Sequence, residues 1–169
     1  MNDVVVLRRI EPEDGPVLER VRLAALADSP FAFSSTFELE SARDQEAWAQ
    51  RAEAGSNGAD RVTFFADHQD DVVGLVGGYR PDPNSGHVEL VSMWVAPSAR
   101  RQGIGRMLVE AIVAWASKTG ANEVRLGVAP GNSPAEELYR ASGFVHIDEV
   151  RPLESAPFQT EVRLALRIG

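Results

Sequence analysis

Two glycines, Gly103 and Gly105, open the segment with the strongest helical signal in this chain, and three arginines crowd the same turn. The run reads Val95-Ala96-Pro97-Ser98-Ala99-Arg100-Arg101-Gln102-Gly103-Ile104-Gly105-Arg106. An apolar stretch ends, a short loop follows, and an amphipathic helix begins. Backbone N–H groups at a helix start have no intrahelical partner, and the helix dipole favours an anion beside them. Glycine carries no Cβ, so the backbone can approach that anion closely. Arg100, Arg101 and Arg106 add positive charge in a chain whose formal net charge is −8. Together these features suit a pyrophosphate. The plainer alternative is a glycine loop that does no more than start a helix.

Two phosphate loops are excluded by residue type. A P-loop needs Gly-Lys-Ser/Thr at the helix start, whereas Gly105 is followed by Arg106 and Met107. A dinucleotide fingerprint needs a third glycine where this chain has Leu108. ATP and NAD are therefore disfavoured. The chain has no cysteine, so disulfides, thiolate metal sites and a cysteinyl intermediate are all absent from its chemistry. His68, His87 and His146 show no ligand spacing, and no metal is expected. A net charge of −8 argues against general nucleic-acid binding, which needs a basic footprint. It is compatible with cationic substrates, although charge of this size mostly serves solubility.

The 169 residues suit one domain (1–169), and 44% hydrophobic with 25% charged is an ordinary soluble composition. No apolar run approaches the ~20 residues of a membrane span. Met1-Asn2-Asp3 is acidic where a signal peptide is basic, which points to a cytoplasmic protein. Strands are predicted at Val4–Ile10, Arg61–Asp67, Val72–Arg80, His87–Val95, Glu123–Val128, Phe144–Val150 and Phe158–Ile168. Helices are predicted from Pro12 to before Pro30, over Arg43–Ala54, Gly103–Ser117 and Pro134–Ser142. Val17, Val21, Leu23, Ala24 and Leu26 partly form an apolar face in the first helix. Ile104, Met107, Leu108, Ala111, Ile112 and Trp115 form a clearer one in the third. In the last strand Val162, Leu164, Leu166 and Ile168 alternate with Arg163, Ala165 and Arg167. The expected architecture is α/β, a single mixed and mostly antiparallel sheet with helices on both faces.

At this point the motifs resemble a known family. Arg100-x-x-Gly103-x-Gly105 is similar to the acyl-CoA pyrophosphate signature, Gln/Arg-x-x-Gly-x-Gly/Ala, of the GNAT N-acetyltransferases. Asn132-x-x-Ala135-x-x-x-Tyr139-x-x-x-Gly143-Phe144 resembles the second motif of that family. The likeness covers most of the chain and is strongest from about Glu89 to Phe144.

The resemblance implies a sheet splayed beside the strand before the glycine turn, with acetyl-CoA as acyl donor. Main-chain groups of Met93, Trp94 and Val95 would meet the pantetheine arm, the Val95 amide polarising the thioester carbonyl. The turn Arg100, Arg101, Gln102, Gly103, Ile104, Gly105 and Arg106 would hold the pyrophosphate, with Asn132 and Ala135 on the other side. Tyr139 matches the general acid, and Glu89 matches a general base found in part of the family; a packing tyrosine and an ion-paired carboxylate are the alternatives. Strand parity places Glu89 with Val91, Met93 and Val95 on one face unless a bulge intervenes. Phe31, Phe33 and Phe37, with Trp48, either line the acceptor pocket or close the core. The expected activity is direct acetyl transfer to an amine of a small molecule or peptide. A non-catalytic acyl-CoA sensor is the alternative, and a nucleotide-binding module a third. Homodimers are common in the family, which leaves that state open here.

Overall fold

The computed structural model describes residues 3–30, 32–153 and 156–169. Strand β1 (Val5–Arg9) leads through a 3-10 turn at Pro12–Asp14 into α1 (Gly15–Asp28), α2 (Phe37–Ser41) and α3 (Gln45–Asn57). Strands β2 (Arg61–His68), β3 (Asp71–Tyr79) and β4 (His87–Val95) form a meander. Helix α4 (Ile104–Lys118), β5 (Glu123–Val128), α5 (Ser133–Ala141), β6 (Val145–His146), β7 (Pro152–Leu153), β8 (Ala156–Thr160) and β9 (Val162–Arg167) complete the chain.

Seven strands make the main sheet in the order β1-β2-β3-β4-β5-β9-β6, and β7 with β8 forms a separate ribbon. All pairs in it are antiparallel except β4 with β5, so the mixed, mostly antiparallel sheet expected from the sequence is present. Helices cover both faces. On one, α4 buries Ile104, Leu108, Val109, Ile112, Trp115 and Ala116; Met107 and Ala111 lie at the half-buried margin. Gly74 and Gly78 of β3 leave room for that helix: a Cβ on either would lie 3.1 Å from Leu108 or Ile112. On the other face α1 and α3 enclose a second cluster around Trp48, Phe65, Leu75 and Trp94.

Several expectations are corrected. The last strand is interrupted at Glu161, where β8 leaves for its ribbon and β9 joins the main sheet. The predicted strand over Phe144–Val150 shortens to two residues, and α2 was not foreseen. Thr36 caps it, accepting from Leu39 N–H at 3.2 Å. The buried positions of α1 are Gly15, Leu18, Val21, Arg22, Ala25 and Leu26, with Leu23 half-buried and Ala24 exposed. A hydrophobicity pattern cannot place an arginine in the middle of such a stripe. In β9, by contrast, Val162, Leu164 and Leu166, with Ile168 just beyond the strand, all pack on the α4 core as the alternation predicts.

Candidate active site

The site begins where the sheet parts. β4 and β5 pair only over His87–Glu89 against Glu123–Arg125. Beyond that, β4 stays with β3 as far as Val95↔Gly74, and β5 stays with β9 as far as Val128↔Val162. The two strands diverge and leave a cleft of about 830 Å³. Met93, Trp94, Val95, Arg100, Arg101, Gly103, Ile104, Gly105, Arg106, Asn132, Ala135 and Tyr139 all border it. Gln102 does not; it faces solvent.

At the α4 start, Gly103 is the N-cap at φ 81°, and no side chain caps the helix. The first amides of α4 are therefore open toward the cleft, a cradle that fits a pyrophosphate. Gly105 serves a second purpose: a Cβ there would lie 3.0 Å from Leu138, so its absence seats α5 against α4. Arg100, which borders the cleft, also has partners within the chain. Its Nε donates to the Val95 carbonyl at 2.9 Å and its guanidinium pairs with Asp28, which also accepts from Trp94 Nε1 at 3.0 Å. It braces the turn while remaining exposed; Arg101 and Arg106 are also exposed beside the cradle, Arg106 donating from Nε to Glu110 at 3.2 Å.

Tyr139 is 5% exposed and meets Phe144 edge-on, with ring centroids 5.8 Å apart. Burial pushes its phenol far above the usual tyrosine range. It stays protonated at neutral pH and borders the cleft.

The bulge that would break strand parity is present. Leu75 pairs with Trp94 but Gly77 with Val91, so β4 carries one extra residue, and Ser92 takes φ 59°. Val88 and Leu90 face α4 together with Met93 and Val95. Glu89 is thus on the opposite face from Met93 and Val95, and the single-face reading is corrected. It is 2% exposed and accepts from Arg163 Nη2 at 2.6 Å and from Arg151 Nη2 at 3.4 Å. Arg163, itself 1% exposed, also reaches Glu149 from Nε at 3.1 Å and Glu161 from Nη1 at 3.3 Å. Burial raises the Glu161 carboxyl above the usual carboxylate range, with Arg163 and Arg151 opposing the rise. A Cβ on Gly127 would fall 2.1 Å from Glu161 Oε2, so this carboxylate rests on the bare β5 backbone.

Three hollows converge on Val91 and Ser92: the cleft, a small one of about 120 Å³ lined by Glu89, Glu161 and Arg163, and a groove of about 290 Å³ beneath α3. Phe33 is buried and lines the small hollow, whereas Trp48 is entirely core. Phe37 is corrected: it opens α2 just after the cap, 44% exposed, and borders none of the three. Phe31 lies outside the described residues. The sequence reading missed Arg22, Arg163 and Glu161. The signal available was charge at inward positions: Arg22 in the stripe of Leu18, Val21 and Ala25, and Arg163 on the alternate face of β9.

Among the described residues, no helix is long and apolar enough to cross a membrane. The chain is 38% identical over 74 residues to aminoglycoside N(6')-acetyltransferase type 1 of Klebsiella aerogenes, covering 43% of this chain and 49% of that protein. It is 30% identical over 141 residues to mycothiol acetyltransferase of Actinosynnema mirum, covering 83% of this chain and 44% of that one. It spans less than half the length of both. The fold matches the crystal structure of a GNAT-family acetyltransferase from Streptococcus pneumoniae at a TM-score of 0.80 and 19% identity, covering 98% of this chain and 100% of that one. The sequence profile of the acetyltransferase (GNAT) family matches residues 22–144, and with the splayed strands and the glycine cradle in place, the chain belongs to that family.

Proposed function

We propose that this protein is an acetyl-CoA-dependent N-acetyltransferase that acts on an amine by direct transfer within a ternary complex, as one domain over 1–169. The observation that carries this reading is the divergence of β4 and β5 beside an uncapped glycine helix start, with Tyr139 between them. When bound, acetyl-CoA supplies a thioester carbonyl.

The chain's own residues then have distinct tasks. The open amides of α4 and Arg101 and Arg106 hold the pyrophosphate, while β4 beyond Glu89 offers main-chain groups to an extended arm. The acceptor nitrogen must lose a proton before its lone pair can attack, because an alkyl ammonium has a pKa of roughly 10. Two carboxylates face the small hollow. Glu89 is 2% exposed and held by Arg163 at 2.6 Å, with Arg151 at 3.4 Å, so its carboxylate is committed to the ion pair. Glu161 has the raised proton affinity and the weaker hold, so we assign it the proton and assign Glu89 the fixing of Arg163. Nitrogen bonds to the carbonyl carbon, the C–S bond breaks, and Tyr139 donates to the departing thiolate.

The test is release of free CoA thiol from acetyl-CoA across a panel of amines, with a background kept low by the absence of cysteine. Acceptor-dependent release of CoA and an N-acetylated product is the expected result. Acetyl-CoA binding with no turnover on any amine would instead mark a sensor and refute the reading.

A further inference from the structure

The groove beneath α3 is lined by Arg22, Arg43, Arg51 and Arg61. This is a concentration of positive charge in a chain whose formal net charge is −8. The acid paired with these arginines is Glu40, 1% exposed, which lies 2.6 Å from Arg51, 2.9 Å from Arg43 and 3.8 Å from Arg22. One carboxylate thus serves three guanidiniums. Arg61 lies over Tyr79, whose ring borders the groove.

Arg22 is the inner wall. It is 5% exposed, its guanidinium lies 4.7 Å over Phe33, its Nη1 donates to Ser92 Oγ at 2.8 Å, and its Nε has no hydrogen-bond partner. A buried guanidinium N–H without an acceptor is costly. Burial lowers its proton affinity, Glu40 resists, and Arg51 and Arg43 add to the lowering. Glu40 is the one carboxylate within 4 Å of Arg22, Arg43 and Arg51 among the described residues, so an anion in the groove would offset the charge left over.

The groove and the small hollow share Arg22, Tyr79, Val91 and Ser92. The small hollow holds the carboxylates Glu89 and Glu161 with Arg151 and Arg163 paired to them; the groove holds Arg43, Arg51 and Arg61 and no carboxylate in its lining; Arg22 borders both. From this arrangement we infer that the acceptor is an amine that also carries a carboxylate, of the amino-acid or short-peptide class, with its amine toward Glu161 and its carboxylate in the arginine groove. The inference rests on the acetyltransferase reading and deepens it. It also separates this chain from polycationic acceptors: a polyamine or an aminoglycoside would bring like charge to the arginines.

The experiment is calorimetric titration of the CoA-loaded protein with a set of L-amino acids, each beside its own amide, and with spermidine and phosphoethanolamine. At least one free carboxylate is expected to bind about tenfold or more tightly than its amide, the scale of a charge-assisted hydrogen bond. Arg61→Gln, on an exposed side chain, is expected to reduce that preference while CoA affinity stays at the wild-type value. Arg51→Gln should do the same. Equal binding of acid and amide, no binding by either, or tighter binding of spermidine or phosphoethanolamine would overturn the inference. A preference for the carboxylate without any turnover would uphold the subsite and sink the acetyltransferase reading instead, so the two failures are distinct.

Discussion

Arg163 donates from Nη2 to Glu89 Oε1 at 2.6 Å, joining residues 74 positions apart, with side chains 1% and 3% exposed. Losing the Glu89 charge leaves a buried Arg163 compensated only by its longer contacts to Glu149 at 3.1 Å and Glu161 at 3.3 Å. Glu89→Gln is therefore expected to cost about 3 kcal/mol of stability, read from urea unfolding. The acid limb of the kcat/KM profile should survive in this variant. Loss of that limb with stability intact would return the base role to Glu89.

Glu161 should behave in the opposite way. Its carboxyl is raised in the folded state by burial, so the folded protein favours the protonated form and its ionisation weighs against folding as pH rises. Glu161→Gln is thus expected to keep or slightly increase the thermal midpoint at pH 7 while lowering kcat/KM by about 100-fold and flattening its acid limb. Gly127→Ala should copy the rate defect, because its Cβ would displace the carboxylate. Wild-type rates in both variants would remove Glu161 from the mechanism.

Tyr139→Phe keeps the ring that meets Phe144 and deletes only the hydroxyl. With an acceptor for which chemistry limits turnover, kcat should fall about 10- to 100-fold, with KM for acetyl-CoA unchanged. An unaltered kcat would make Tyr139 a packing residue.

Acid should loosen the α1–α2–α3 corner. Burial alone would raise the Glu40 carboxyl, but Arg51, Arg22 and Arg43 outweigh it, and its proton affinity in the folded state is lowered. The stability this contributes is complete above the unfolded glutamate value of about 4.3 and is lost as pH falls through the lower folded value. Melting curves between pH 7 and pH 3 should show a steep acid slope in the wild type and a shallower one in Glu40→Gln, which starts lower. Parallel slopes would exclude this origin.

What could be read before folding, and what could not, follows from the range of the forces involved. Helix α4 announces itself because Ile104, Leu108, Ile112 and Trp115 repeat at helical spacing, and the glycine turn is local chemistry. The meander β2–β3–β4 is marked by its turn residues. Arg163 with Glu89, and Arg22 with Glu40, are products of tertiary proximity between separated elements, and no periodicity encodes them. The β4 bulge reverses the parity of Glu89 relative to Met93 through one extra residue, which alternation alone cannot locate. The split at Glu161 is similar: Phe158 and Val162 look continuous in sequence, yet they serve different sheets.

The short union of β4 with β5 leaves two strand edges facing each other inside the molecule. Unpaired edges are ordinarily where foreign chains attach and aggregation starts. Here α4 and α5 flank the gap, and it closes toward His87–Glu89, so an incoming strand has one way in. A ligand arm laid along β4 would shut that entrance.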